Sequence, residues 1–387
     1  MRVLKFSTIV AVCSIFTGHV LYGQTASSKP GLKPSDKGDV IEIDTPEHKL
    51  ELPPGKAIPG IEGSPIIAMP VQCSPDGVAF VEMPLASDFR QMRVASLEEK
   101  GGHLYTPGTV PGLYDPVLLG FFPAESDVAF LFYATRDAKE TDYSMRSEKG
   151  PVTGKARLGT HQNYIALFDR KGVFKSLIDL PIEYEYRKIA ELDSGEFVLL
   201  AYNPVNRVAS LQLVNASGEF LRPLSIPGGM LDDPKLNQGE LGGSTEAVTA
   251  SGSLSAWQFA SARHRVILYK PHSSAPVLEV GSGGAVREVP LAAPPGYELD
   301  GVVSGTDRWI MRFRRSGLSD SQVSDASTAS GNFLLYETNP LDGSLKTRLS
   351  LKSGSVFSLA CEADGVVSSF LVDGSAKFLV SSASLAN

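Results

Sequence analysis

The sequence predicts an all-β fold: a β-propeller of about six four-stranded blades, with an N-terminal strand completing the last blade. Three observations carry this expectation. One hairpin pattern repeats at a spacing of 46 residues, a second turn pattern alternates with it along the chain, and no stretch after the N-terminal apolar segment has helical periodicity. A chain of 387 residues exceeds one ordinary hydrophobic core, so it either divides into domains or grows by repetition. Hydrophobic residues make up 42% and charged residues 20%, a balance that excludes wholesale disorder. The 37 glycines and 26 prolines suit many short strands joined by turns.

The first hairpin is read from two segments. Asp169 aligns with Asn215, Gly172 with Gly218, Phe174 with Phe220 and Pro181 with Pro227, each pair 46 residues apart. An apolar strand meets an Asp/Asn-to-Gly turn and returns as a second strand. Weaker versions use Asp342-Gly343 and Ser282-Gly283-Gly284. The second pattern appears at Cys73-Ser74-Pro75-Asp76-Gly77, Leu192-Asp193-Ser194-Gly195, Ser304-Gly305-Thr306-Asp307 and Ala363-Asp364-Gly365. Looser copies are Glu125-Ser126-Asp127 and Ala250-Ser251-Gly252. Two hairpins per repeat make a four-stranded antiparallel blade, and radial repetition of blades gives a propeller. The expected blades run 64–113, 114–182, 183–229, 230–295, 296–354 and 355–387.

The segment Ile165-Ala166-Leu167-Phe168-Asp169-Arg170-Lys171-Gly172-Val173-Phe174 resembles the NHL-repeat and related six-bladed β-propeller families. The resemblance covers the architecture from about residue 39 onward. It implies the fold and no particular activity, because propellers host enzymes, ligand binders and scaffolds alike.

The last blade is short by about one strand. Ile41, Ile43, Leu50 and Leu52 upstream supply an alternating segment expected to be its outer strand, sealing the ring; a loose N-terminal arm is the alternative. Cys73 and Cys361 each lie three residues before an Asp-Gly turn, in the first and last blades. Closure makes them neighbours, so they are candidates for a disulfide, against two buried free thiols.

Before the propeller, Arg2 and Lys5 precede an apolar run from Phe6 to Phe16 and then small or polar residues. Residues 1–23 read as a secretory signal cut after Gly23, with a lipoprotein signal at Cys13 as the rival. The run is too short to span a bilayer, and no later segment approaches spanning length. Residues 24–38, rich in Ser, Lys, Pro and Gly, read as a flexible leader to a single domain over 39–387. Signal removal leaves 34 basic against 43 acidic residues, a formal charge of −9. An exported (periplasmic or extracellular) monomer with this charge is a poor nucleic-acid binder.

Long insertions fall at 136–162 and 316–331, between second and third strands of blades two and five, and at 228–244 between blades three and four. In a propeller these links share one face, and long loops there favour function. The same face is expected to carry Arg263, His264 and Arg265 with Arg312, Arg314 and Arg315, a guanidinium cluster for carboxylate or sulfate or a set of paired strand ends. Tyr184, Tyr186 and Arg187 lie where blade two passes to blade three, and Tyr114 at the matching link one blade earlier, as ligand contacts or half-buried packing. The histidines at 48, 103, 161, 264 and 272 show no zinc spacing. No metal or cofactor is expected, and no nucleophile elbow, phosphate loop or dinucleotide fingerprint is present. The functional expectation is a non-catalytic binding propeller taking a protein or glycan on the inserted-loop face. The alternative is a hydrolase or lyase for polysaccharide or peptide, using His264 and flanking arginines near the axis.

Overall fold

The turn chemistry of the 46-residue repeat is the local cause of the fold. Asp169 Oδ1 accepts from the amides of Lys171 and Val173 at 2.9 and 2.8 Å, and Asn215 Oδ1 accepts from Ser217 and Glu219 at 3.0 and 2.9 Å. Each side chain thus caps its own turn, an alternative to a backbone ladder that only short Asp, Asn, Ser or Thr side chains provide. Gly172 and Gly218 then close the reversal at φ of 81° and 91°.

The computed structural model describes residues 40–43, 47–51, 68–85, 88–97, 102–107, 110–147, 150–206, 208–226, 231, 254, 256–262, 264–303, 309–317, 332–351, 359–363, 366–372 and 377–384. The segments 1–23 and 24–38, nearly all of 228–244 and most of 316–331 lie outside these residues, as do Arg263 and the expected turns at Ala250-Ser251-Gly252 and Ser304-Gly305-Thr306-Asp307.

Two strands open the chain, β1 (Val40–Ile43) and β2 (Glu47–Glu51). Sheet 1 follows with β3 (Ala68–Cys73), β4 (Ala79–Leu85), β5 (Asp88–Leu97) and β6 (Leu104–Tyr105). Sheet 2 holds β7 (Leu113–Pro123), β8 (Asp127–Ser147), β9 (Gly150–Asp169) and β10 (Phe174–Asp179). Sheet 3 holds β11 (Glu185–Glu191), β12 (Phe197–Asn203), β13 (Val208–Val214) and β14 (Phe220–Leu224). Sheet 4 holds β15 (Gln258–Ala262), β16 (Arg265–Tyr269), β17 (Val277–Gly281) and β18 (Val286–Val289). Sheet 5 holds β19 (Tyr297–Val303), β20 (Trp309–Arg315), β21 (Phe333–Thr338) and β22 (Leu345–Leu351). Sheet 6 holds β23 (Leu359–Ala363), β24 (Val366–Val372) and β25 (Lys377–Ser384).

Sheets 1 to 4 are four-stranded antiparallel meanders. Sheet 6 becomes the fifth four-stranded sheet by taking β2 onto β25, and sheet 5 carries β1 as an additional, parallel outer strand on β22. The expectation of uniform four-stranded blades therefore holds for five sheets, while sheet 5 has five strands. The N-terminal segment, read from the sequence as one outer strand, is split between two sheets. Leu50 faces Phe378 in sheet 6, whereas Ile41 faces Leu349 in sheet 5.

Consecutive sheets pack face to face. One core of buried Phe80, Tyr105, Phe121, Phe130 and Phe168 lies between sheets 1 and 2, and another of Ala262, Ile267, Trp309 and Phe313 between sheets 4 and 5. The largest joins sheets 2, 3 and 4 through Leu131, Ile189, Leu199, Leu213 and Phe259. First strands meet near the centre: β15 packs on β3 and β11, and β23 on β3 and β19. Radial antiparallel sheets with their first strands at the hub make this chain a β-propeller.

The repeated glycines have a second role, in the joints between sheets. A Cβ on Gly218 would stand 2.2 Å from the Asp179 carbonyl oxygen of sheet 2, and one on Gly343 would stand 1.7 Å from the Pro290 oxygen that follows sheet 4. Gly172 makes a looser approach of the same kind to the Leu104 carbonyl oxygen, at 3.0 Å, and a Cβ on Gly284 would meet the Leu224 side chain, both of the preceding sheets. Each outer hairpin thus docks its glycine on the end of the preceding sheet.

Cys73 and Cys361 are joined by a disulfide with a Cα–Cα separation of 5.6 Å, linking sheets 1 and 6. Facing sheets are ~10 Å apart on average. Both cysteines lie on first strands, where the sheets converge.

Two expectations about position need correction. Residues 136–162 form a hairpin, because β8 and β9 stay paired from Arg136 opposite Thr160, through a shift of register before Lys139, out to Ser147 opposite Gly150. Nine residues, Lys139–Ser147, extend beyond the last pair with β7, a reach of ~30 Å at strand spacing. In sheet 4 the first hairpin turns at His264, with φ of 59°, and Ala250-Ser251-Gly252 precedes the strands.

Candidate functional site

The connectivity divides the ends of the strands into two faces. The turns within hairpins β3–β4 and β11–β12 share a face with the outer turns at Gly172 and Gly218, as Arg170 of an outer turn shows by reaching Asp76 at 3.0 Å. The links from second to third strands, and from each sheet to the next, lie opposite, on what is here the loop face.

Among the described residues, this division places His264 and Arg265 on one face and Arg312, Arg314 and Arg315 toward the other. His264 belongs to the turn face, 67% exposed, where its Nδ1 bonds the Asp193 carboxylate. Arg265 pairs with Glu279 at 3.2 Å. Arg312, Arg314 and Arg315 run toward the loop face on β20. Arg312 is paired with Asp300, and Arg314 Nε donates to Glu298 at 2.9 Å. His272 stands over the same carboxylates, at 3.6 Å from Glu298 and 3.9 Å from Asp300. These guanidinium groups are matched by β19 carboxylates, and Arg315 alone of the three is exposed.

The junction of sheets 2 and 3 gathers more. Across three strands, Tyr114 faces Thr135 and Thr135 faces His161, while in the next row Val117 faces Tyr133 and Tyr133 faces Asn163. Residues opposite one another share a face of the sheet, and Thr135 Oγ1 confirms it by bonding His161 Nδ1 at 2.8 Å. The Tyr133 and His161 rings are nearly parallel, with centroids 6.1 Å apart and planes at 19°. Tyr133 is 43% and Val117 36% exposed.

Sheet 3 closes the other side. Buried Asn163 accepts from the Tyr186 amide at 3.2 Å and donates to the Phe132 carbonyl at 3.1 Å, fixing β11 against β8. Arg187 Nη2 donates to Glu185 at 2.6 Å, and its Nε is buried with no hydrogen-bond partner. Burial and the nearby Glu185 carboxylate raise the pKa of Tyr133, partly countered by Arg187. Asp115, at φ of 50°, sits in the β7 bulge between Tyr114 and Val117.

Of the predicted residues, Tyr114 and Arg187 border this groove. Tyr184 is half-buried against the Phe220 ring at 6.2 Å, and Tyr186 is fully buried packing. The sequence reading passed over Tyr133, Thr135, His161 and Glu185. Their signal is strand alternation just before and after the 136–162 insertion, visible once β8 and β9 are paired.

A second polar set lies inside the ring. Glu82 on β4 is 7% exposed, and burial raises its pKa to about 7. Lys188 on β11 donates to Gln258 Oε1 on β15 at 3.3 Å, and desolvation lowers its pKa to about 8. Glu191 is raised to about 7, first by burial and then by Asp127. An acid whose folded pKa lies above its unfolded value binds more protons when folded, so stability falls as pH rises from about 4.5 to about 7. Glu191→Gln is expected to unfold at a higher temperature than the wild type at pH 8, by about 1–3 kcal/mol of stability, and to show no gain at pH 4. Thermal melts at the two pH values check this. An equal gain at both would reject the assignment.

No protein-family model matches the sequence, and no curated protein matches it. Several solved structures are similar in fold. One is regucalcin, a calcium-binding protein from Agrobacterium tumefaciens strain C58, at 10% identity and a TM-score of 0.38 over 90% of this chain and 95% of that one. The β-propeller domain of the Trilobed protease from Pyrococcus furiosus shows 10% identity and 0.38 over 80% and 79%. YCF48 bound to D1 peptide shows 8% and 0.34 over 91% and 100%. Likeness at this level carries no ligand, activity or partner over to this chain. Among the described residues, no helix is long and apolar enough to cross a membrane, and no group of three or more His, Cys, Asp or Glu is placed to hold a metal ion.

Proposed function

We propose that this chain is an exported, non-catalytic, six-bladed propeller of the NHL-like kind, a monomer over residues 39–387 that docks a protein or glycan on its loop face. One observation carries the reading: the β8–β9 hairpin continues past its blade on that face, directly above the exposed Tyr133 and His161. A surface feature of that size, beside exposed aromatic rings, suits recognition. The Cys73–Cys361 disulfide supports export, because such bonds persist in oxidising compartments.

A second reading, a hydrolase or lyase acting on polysaccharide or peptide, draws on Glu82 and Lys188, an acid and a cation whose pKa values are both brought toward neutrality. Burial of the Glu82 carboxyl closes it to a polymer chain and favours the binding reading.

Photo-crosslinking in the secreting cell separates the faces. A benzophenone side chain at Thr153, on the arm that the β8–β9 hairpin forms, is expected to capture a partner, and one at Ser194 on the opposite face is expected to capture none. Capture from Ser194 alone overturns the docking face.

A further inference from the structure

We infer that the groove between sheets 2 and 3 is a saccharide site, in which a neutral sugar ring stacks on Tyr133 and His161 and is hydrogen-bonded by Glu185 and Arg187. The inference rests on the loop-face reading above and gives that face a ligand class.

The platform comes first. Two nearly parallel rings held on one sheet face, with Tyr133 43% exposed, offer an electron-rich surface to solvent. The axial C–H bonds of a pyranose carry slight positive charge and form a flat apolar face that complements such a surface. Thr135 locks the imidazole by its bond to Nδ1, so the platform is set before any ligand arrives. Asp115 adds a bend at the same rim, because a non-glycine residue at positive φ inside a bulge is retained only where the surroundings enforce it.

The rim decides the charge of the ligand. Glu185 and Arg187 bond each other at 2.6 Å, and both act electrostatically on Tyr133. Together they are neutral, so they select neither an anion nor a cation. They offer carboxylate acceptors beside guanidinium donors, on side chains 39% and 26% exposed. Hydroxyl groups, each both donor and acceptor, match that mixture. Adjacent hydroxyls on one sugar ring can engage both partners at once.

The backbone argues against an extended peptide here. Tyr133 and its neighbours on β8 are paired on both sides, with β7 and with β9, so no open strand edge is available for main-chain hydrogen bonds. Nucleic acid is disfavoured by the neutral rim and by the acidic chain, whose formal charge is −7.

The test is an array of neutral oligosaccharides (glucans, xylans, mannans and chitin oligomers) probed with the mature protein, then calorimetric titration of the strongest binder. Tyr133→Ala is expected to weaken binding at least tenfold, and Glu185→Gln several-fold. Ser194→Ala, on the opposite face, leaves it unchanged. Circular dichroism confirms that each variant is folded, as the exposure of Tyr133 favours. Equal binding by wild type and Tyr133→Ala overturns the site. An array on which the wild type binds nothing overturns the saccharide class. The loop-face reading is decided separately by the Thr153 and Ser194 crosslinks, so the two ideas can fail independently.

Discussion

Gly218→Ala is expected to destabilise the protein by roughly 2–4 kcal/mol, against about 1 kcal/mol for Gly195→Ala. Both glycines have positive φ, 91° and 79°, so both substitutions bear the intrinsic penalty of an L side chain in that region. They differ in surroundings. A Cβ at Gly218 meets the Asp179 carbonyl oxygen at 2.2 Å and Ile178 Cγ2 at 2.6 Å, while one at Gly195 meets nothing within 4 Å. The first contact is with backbone of the preceding sheet and cannot be relieved by rotating a side chain. The clash therefore has to open the joint between sheets 2 and 3 or distort the turn. Urea unfolding of the two variants measures the difference, and equal midpoints would show that Gly218 serves its turn alone.

Replacing both cysteines, Cys73→Ala with Cys361→Ala, is expected to lower stability by about 2–5 kcal/mol while leaving the protein folded. The bond spans 288 residues, so in the chain-entropy account it restricts the unfolded ensemble near the upper end of what a disulfide achieves. Alanine is chosen because both sulfurs are buried, at 3% and 1% exposure, and serine would leave an unpaired hydroxyl there. The fold persists because β2 still pairs with β25. Guanidinium titration, with circular dichroism to confirm native secondary structure, gives the value. An unchanged midpoint would mean that the seam between sheets 1 and 6 is held entirely by packing.

Much of the fold was legible because propeller hairpins use local chemistry. Asp169 and Asn215 announce their turns by residue type, and Gly172 and Gly218 announce the positive φ that follows. The reason those glycines recur was not legible, since the Asp179 oxygen that excludes a side chain at Gly218 lies on another sheet. The error in sheet 4 has the same origin. Its inner turn uses His264 at φ of 59°, a residue type that signals no turn, whereas the sequence reading placed that turn at Ala250-Ser251-Gly252, outside the described residues. The arm was read as a loop because Gly150, Pro151, Gly154 and Gly159 break the apolar alternation that marks a strand.

The site was less legible than the fold. Tyr133 and His161 are 28 residues apart, and only the continued pairing of β8 with β9 makes them neighbours. Glu185 arrives from the next sheet. Conversely, Arg312 and Arg314 looked available in the sequence because their partners, Asp300 and Glu298, lie on the preceding strand. Charge pairing across strands depends on register, which local composition does not reveal.

Hydrogen exchange on the intact mature protein tests most directly whether the N-terminal segment seals a ring of radial sheets. Amides of Glu47–Glu51 are expected to be protected to the same degree as those of Lys377–Ser381, their antiparallel partners on β25. Exchange of Glu47–Glu51 at unstructured rates, with β25 still protected, would contradict closure by that strand.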